Sequence, residues 1–116
     1  MSFFMNSTNA QSATPYVRIA KIVVDSSRLE AYKTQLKIGM ETAIKTEPGV
    51  LSMYAVYDNK QPNHITILET YASMEAYQSH IQTAHFKKYK SETLSMVVSL
   101  ELIDVTPISY QSKNKM

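Results

Sequence analysis

Glu69-Thr-Tyr-Ala-Ser73-Met-Glu-Ala-Tyr77-Gln-Ser-His80-Ile-Gln-Thr83-Ala-His85-Phe-Lys-Lys-Tyr89 is the stretch on which the fold turns. Its first residues finish an alternating run over 64–71 that places Ile65, Ile67, Glu69 and Tyr71 on one face of a strand. The period then changes. Ser73 is placed to cap a helix over 74–81, and Thr83 to cap a second from 84 to about 94, with Phe86, Tyr89 and Thr93 inward. A strand that runs into two short helices predicts a sheet with helical cover on one side. The same 21 positions hold His80, His85, Glu69 and three tyrosines, so proton chemistry is expected here before anywhere else.

Upstream, residues 16–24 read as a first strand, rich in β-branched residues and apolar on both faces. Asp25-Ser26-Ser27 supplies a helix start, with Ser27 and Glu30 spaced as a capping box. Leu29, Tyr32, Leu36, Met40 and Ala43 follow at intervals of three and four, which is one apolar stripe. Thr46-Glu47-Pro48-Gly49 ends that helix, since Pro48 has no N–H and Gly49 can take a positive φ. The turn reads as punctuation without chemistry. Residues 50–58 form a second strand, with Leu51, Met53, Ala55 and Tyr57 on one face and Val50, Ser52, Tyr54 and Val56 on the other. The polar residues 59–63 join it to 64–71 as an antiparallel hairpin, and 97–105 is the last strand.

This order predicts an α+β fold of the ferredoxin-like βαββαβ plan, a four-stranded antiparallel sheet with both helical segments on one face. The strands are apolar on both faces, and the helices can cover one. A homodimer that joins sheet face to sheet face is the economical cover for the other. The domain is expected over 16–107, between a disordered N-terminal tail at 1–15 and a C-terminal tail at 108–116.

A chain of 116 residues, 44% apolar and 19% charged, has room for one modest core. A net charge of +2 and a densest basic cluster of Lys87, Lys88 and Lys90 give no support for nucleic-acid binding. Without cysteine, disulfides, thiolate metal sites and a cysteine nucleophile are excluded. No run is long enough to span a membrane as a helix. The expected compartment is cytoplasmic, or periplasmic if an export signal precedes the sequence, for which Ala10-Gln-Ser-Ala13 would suit a mature start.

Glu47-Pro-Gly-Val50, Glu69-Thr-Tyr71, Glu75-Ala-Tyr77 with His80, and Thr83-Ala-His85-Phe86 resemble the antibiotic biosynthesis monooxygenase family over about 16–105. The resemblance implies a dimeric α/β barrel of ferredoxin-like subunits. Some members oxidise phenols and quinols with O2 and no metal or flavin, some open haem, and some isomerise a small phosphorylated signal molecule. The haem-opening pattern has a tryptophan at the strand end, an asparagine on the first strand and a late axial histidine. Here Tyr71 stands at the strand end, the first strand has no asparagine, and 88–90 is Lys-Tyr-Lys. That branch is not expected.

The leading expectation is a cofactor-independent monooxygenase acting on a small aromatic or quinone-like ligand, with His80 and Glu69 as a catalytic pair. Tyr54, Tyr71, Tyr77, His85, Phe86 and Arg18 are expected to line its pocket. Glu69 has a structural alternative as the partner of Arg18 or Lys21 across the sheet, and most of the tyrosines have one in ordinary packing. No metal is expected, because histidines five apart on a broken helix are not the i, i+4 pair that shares a helical face. The alternatives are a non-catalytic ligand-binding dimer, and an isomerase if Arg18 and Lys21 both point into the pocket.

Overall fold

A computed structural model describes residues 14–113. The order is β1 (Tyr16–Val24), α1 (Leu29–Thr46), β2 (Val50–Tyr57), β3 (His64–Tyr71), α2 (Met74–His80), α3 (Ala84–Thr93) and β4 (Val97–Val105). The four strands form one antiparallel sheet in the order β2-β3-β1-β4. This is the ferredoxin-like plan expected from the sequence. The expected N-terminal tail falls outside the described residues up to position 13, as does the C-terminal tail from 114.

The helices cover one face of the sheet. Ala20, Ile22 and Val24 of β1 and Ile65 and Ile67 of β3 pack there against Tyr32 and Leu36 of α1. A second cluster joins Ala43, Val50 and Tyr71, with Tyr77 against it. The other face is open: Tyr54 and Leu68 are cross-strand partners, and with Val56 they remain exposed.

Two local features differ from the sequence expectation. The entry to α1 is a single 3-10 turn, Ser26–Arg28, whose cap is Asp25, accepting from the Ser27 N–H. Ser27 donates its hydroxyl to Asp25, and Glu30 pairs with Lys33, so no Ser27–Glu30 capping box forms. At the other end of α1, Gly49 is needed for close approach rather than for a positive φ. A Cβ at Gly49 would lie 2.6 Å from the Ala76 Cβ, and the Gly49 carbonyl accepts from the Ala72 N–H at 2.8 Å. The Glu-Pro-Gly turn is thereby pressed against the start of α2.

Candidate functional site

A cleft of about 110 Å³ lies between the helix-bearing face of the sheet and the helices above it, with room for several waters or one small organic molecule. Its floor comes from the central strands, including Arg18, Ile67, Glu69 and Tyr71; its roof includes Met40, Tyr77, His80, His85, Phe86 and Tyr89. Leu100 and Leu102 of β4, both exposed, complete the lining.

Short-range sequence signals set the roof. Ser73 caps α2 by accepting from the Ala76 N–H, and Thr83 caps α3 by accepting from Phe86. The Thr83 hydroxyl also donates to the His80 carbonyl at 2.7 Å, which ties the end of one helix to the start of the next. His80 is thus the last residue of α2, and only 5% of it is exposed.

The acidic partner of His80 is Glu47, not Glu69. Oε2 of Glu47 lies 2.9 Å from His80 Nδ1 and 2.5 Å from His85 Nε2. A carboxylate oxygen accepts from both rings only if each bonded nitrogen carries a proton, so the contacts assign the His80 Nδ1–H tautomer. In the neutral ring protonated at Nδ1, Nε2 carries the lone pair; among the described residues it makes no hydrogen bond, on a residue that lines the cleft. This is the arrangement of an imidazole base held by a carboxylate.

Glu47 was read in the sequence as part of a helix stop. It occupies the C-cap of α1, where the helix dipole disfavours a negative charge. An acid at the wrong end of a helix signals that its partners lie elsewhere, and this signal precedes two histidines in the sequence.

Glu69 has a different role in the geometry. Its Oε1 accepts from the Tyr71 hydroxyl at 2.7 Å. Burial pushes its carboxyl above the usual range, opposed by the Tyr71 hydrogen bond and by the charge of Arg18. Burial likewise raises the Tyr71 hydroxyl, with the Glu69 charge adding to it. Arg18 is the cross-strand neighbour of Glu69, yet no ion pair joins them among the described residues. Tyr89, which lines the cleft, shares a hydrogen bond of 2.5 Å with the hydroxyl of the buried Tyr32.

Of the pocket residues expected from the sequence, Tyr71, Tyr77, His85, Phe86 and Arg18 line the cleft, together with His80 and Glu69. Tyr54 does not. It pairs with Leu68 on the open face of the sheet and is 58% exposed, because strand parity turns it away from Met53 and Ala55. Tyr57, on the same strand parity as Met53, lies outside the cleft under the Lys33 ammonium, 4.6 Å from the ring centre.

Glu47, His80 and His85 each offer one donor atom within 4.8 Å of the others, the donor set of a two-histidine, one-carboxylate metal centre. Contrary to the expectation from their spacing, the break between α2 and α3 brings both rings to one carboxylate. Donors at ~2.0–2.1 Å from a tetrahedral ion stand about 3.3 Å apart. The closer contacts to Glu47 are those of hydrogen bonds.

The sequence profile of the antibiotic biosynthesis monooxygenase family matches residues 15–92. The chain is similar to the crystal structure of a candidate antibiotic biosynthesis monooxygenase from Bacteroides thetaiotaomicron, with 51% identity and a TM-score of 0.84. That match covers 90% of this chain and 99% of the other. A candidate monooxygenase from Lactobacillus acidophilus is 31% identical at a TM-score of 0.79, over 81% of this chain and 45% of that longer one. A Nitrosomonas europaea structure, 18% identical over 93% of this chain and 96% of its own with a TM-score of 0.77, speaks to the fold alone. No curated protein matches the chain.

Proposed function

Because the chain belongs to the antibiotic biosynthesis monooxygenase family, we propose that it oxidises a small aromatic, quinol-type substrate with O2, without a metal or organic cofactor. The observation that carries this reading is the Glu47–His80 pair at the wall of an apolar cleft, with no hydrogen bond to the second imidazole nitrogen among the described residues.

In this reading His80 Nε2 takes the proton of a substrate hydroxyl, and Glu47 holds Nδ1–H and stabilises the imidazolium that forms. The resulting anion gives one electron to O2, and the radical pair closes a carbon–oxygen bond. Glu69, kept towards its neutral form by burial, is suited to protonate the new peroxide. The peroxide forms at a ring carbon that carries one hydrogen, and loss of that hydrogen with the outer oxygen as water leaves a carbonyl there. One oxygen atom ends in the product and the other in water, and the substrate supplies the electrons. The tyrosines and Phe86 supply a low-dielectric wall that favours a flat ring.

Oxygen uptake with a panel of quinols tests the reaction on protein stripped of metal and flavin. His80→Ala is expected to lower kcat by about a hundredfold or more. Glu47→Gln is expected to lower kcat at nearly constant KM, because it alters the base and not the ring's contacts. A His80→Ala protein as active as the wild type removes His80 from the reaction. If no quinol drives oxygen uptake, the non-catalytic ligand-binding reading replaces this one. The isomerase reading has less support: Arg18 lines the cleft, whereas Lys21 is exposed on the opposite strand parity, beside Thr66 and Glu101.

The exposed apolar face of the sheet supports a homodimer joined through that face, which leaves the cleft of each subunit on the helical side.

A further inference from the structure

Arg18 is a charged side chain on the central strand, 7% exposed, whose Nε is buried with no hydrogen-bond partner. Its guanidinium carbon sits 4.6 Å from the Tyr77 ring centre and 5.9 Å from that of Tyr16, so aromatic rings fix its position without neutralising it. Both acids beside it in the sheet have other hydrogen-bond partners. Asp104, its neighbour on β4, accepts from the Tyr16 hydroxyl at 2.8 Å, and Glu69, its neighbour on β3, accepts from Tyr71. Neither forms an ion pair with Arg18 among the described residues. A guanidinium always carries its charge, and a buried charge without a paired oxygen is costly. A fold keeps such a group where something else supplies the oxygen.

We propose that the ligand of the cleft carries a carboxylate on its aromatic ring, and that Arg18 receives this group as its counter-ion. The guanidinium fork matches the two oxygens of a planar acid, and a flat ring attached to that acid would extend from Arg18 along Tyr71 and Tyr77 towards His80. Arg18 then sets which end of the substrate faces the base. The proposal rests on the reading of the cleft as an aromatic site and narrows its substrate class to acidic phenols and quinols.

Calorimetric titration of the full chain with 2,5-dihydroxybenzoate, hydroquinone and inorganic phosphate tests it, alongside the melting temperature of the ligand-free protein. For the wild type, 2,5-dihydroxybenzoate is expected to bind at least about tenfold tighter than hydroquinone, the value of one charge-assisted contact. In Arg18→Gln that preference disappears, while the ligand-free protein melts a few degrees higher because an unpaired buried charge has gone. Arg18→Met serves if the glutamine variant does not fold. Equal binding of the acid and the neutral quinol by the wild type overturns the proposal, as does a preference that survives in the variant. A lowered melting temperature in both variants overturns it too, since Arg18 would then already be neutralised within the protein or by a second copy. Tighter binding of phosphate than of the aromatic acid overturns the planar-acid assignment. If the acid binds selectively but no quinol drives oxygen uptake, the oxidation is lost and the Arg18 subsite stands.

Discussion

A single carboxylate oxygen, Oε2 of Glu47, sits behind His80 and bears on how it can act, while a second carboxylate, Glu69, lines the cleft itself. Glu47 is fixed by two imidazoles; Glu69 has one neutral donor and a large desolvation cost. The sign of the resulting pH dependence follows. The folded protein holds the Glu69 proton more tightly than the unfolded chain, so stability from this group is complete below the ordinary glutamate pKa. It is lost as pH rises through the higher folded value. Glu69→Gln keeps an acceptor for Tyr71 and removes the titration. Thermal melts across pH 4 to 8, roughly the window set by a raised glutamate, should show a flatter profile and a higher neutral-pH melting temperature for Glu69→Gln; an unchanged profile would place the proton elsewhere. Residue types disclosed that a base and acids were present, and the alternation through 64–71 placed Glu69 beside Tyr71. What the sequence could not disclose was the pairing, because Glu47 and His80 meet across 33 positions of chain through a tertiary contact.

Among the elements, those defined by strong local patterns were readable to the residue. Strands Tyr16–Val24, His64–Tyr71 and Val97–Val105 stand where alternation and β-branching put them, and the Ser73 and Thr83 caps fix the starts of α2 and α3. The irregular joints were not readable. Alternation puts Val50 on the same face as Tyr54. A bulge between Val50 and Ser52 instead turns Val50 into the core beside Tyr71, leaving Leu51 exposed. The Gly49–Ala76 approach is another joint of this kind. Gly49→Ala inserts a methyl where the Ala76 Cβ already stands, so the Glu-Pro-Gly turn must lift away from α2. The expected cost is about 1–3 kcal/mol by denaturant titration, together with lost His80 orientation that lowers kcat more than it raises KM. A fully active, fully stable Gly49→Ala protein would show that the turn is free to shift without moving Glu47.

For the whole molecule, the sheet separates a cleft from an exposed apolar face. Its helix-bearing side holds the cleft, while its other side presents Tyr54, Val56 and Leu68 to solvent. Binary patterning alone made this two-sidedness legible, since every strand carried apolar residues at both parities. Which parity faced the helices was not legible, and so Tyr54 was assigned to the wrong side. The exposed face gives a direct test of assembly. Leu68→Lys and Tyr54→Lys place charges where a second sheet would pack, and light scattering after gel filtration should shift from dimer mass to monomer mass. A wild-type protein that runs as a monomer at every concentration removes the sheet-to-sheet arrangement.

The central position of β1 also bears on synthesis. This strand is made before the other three strands of the sheet, yet it pairs with β3 and β4 and not with its neighbour in sequence. Its register with β4 joins Val17 to Val105, nearly the full span of the fold. Throughout translation the emerging chain therefore carries Val17, Ile19, Ile22 and Val23 on a strand with two unsatisfied edges, until β3 and then β4 have been made. During that interval the first strand is a candidate client for chaperones that hold extended apolar segments.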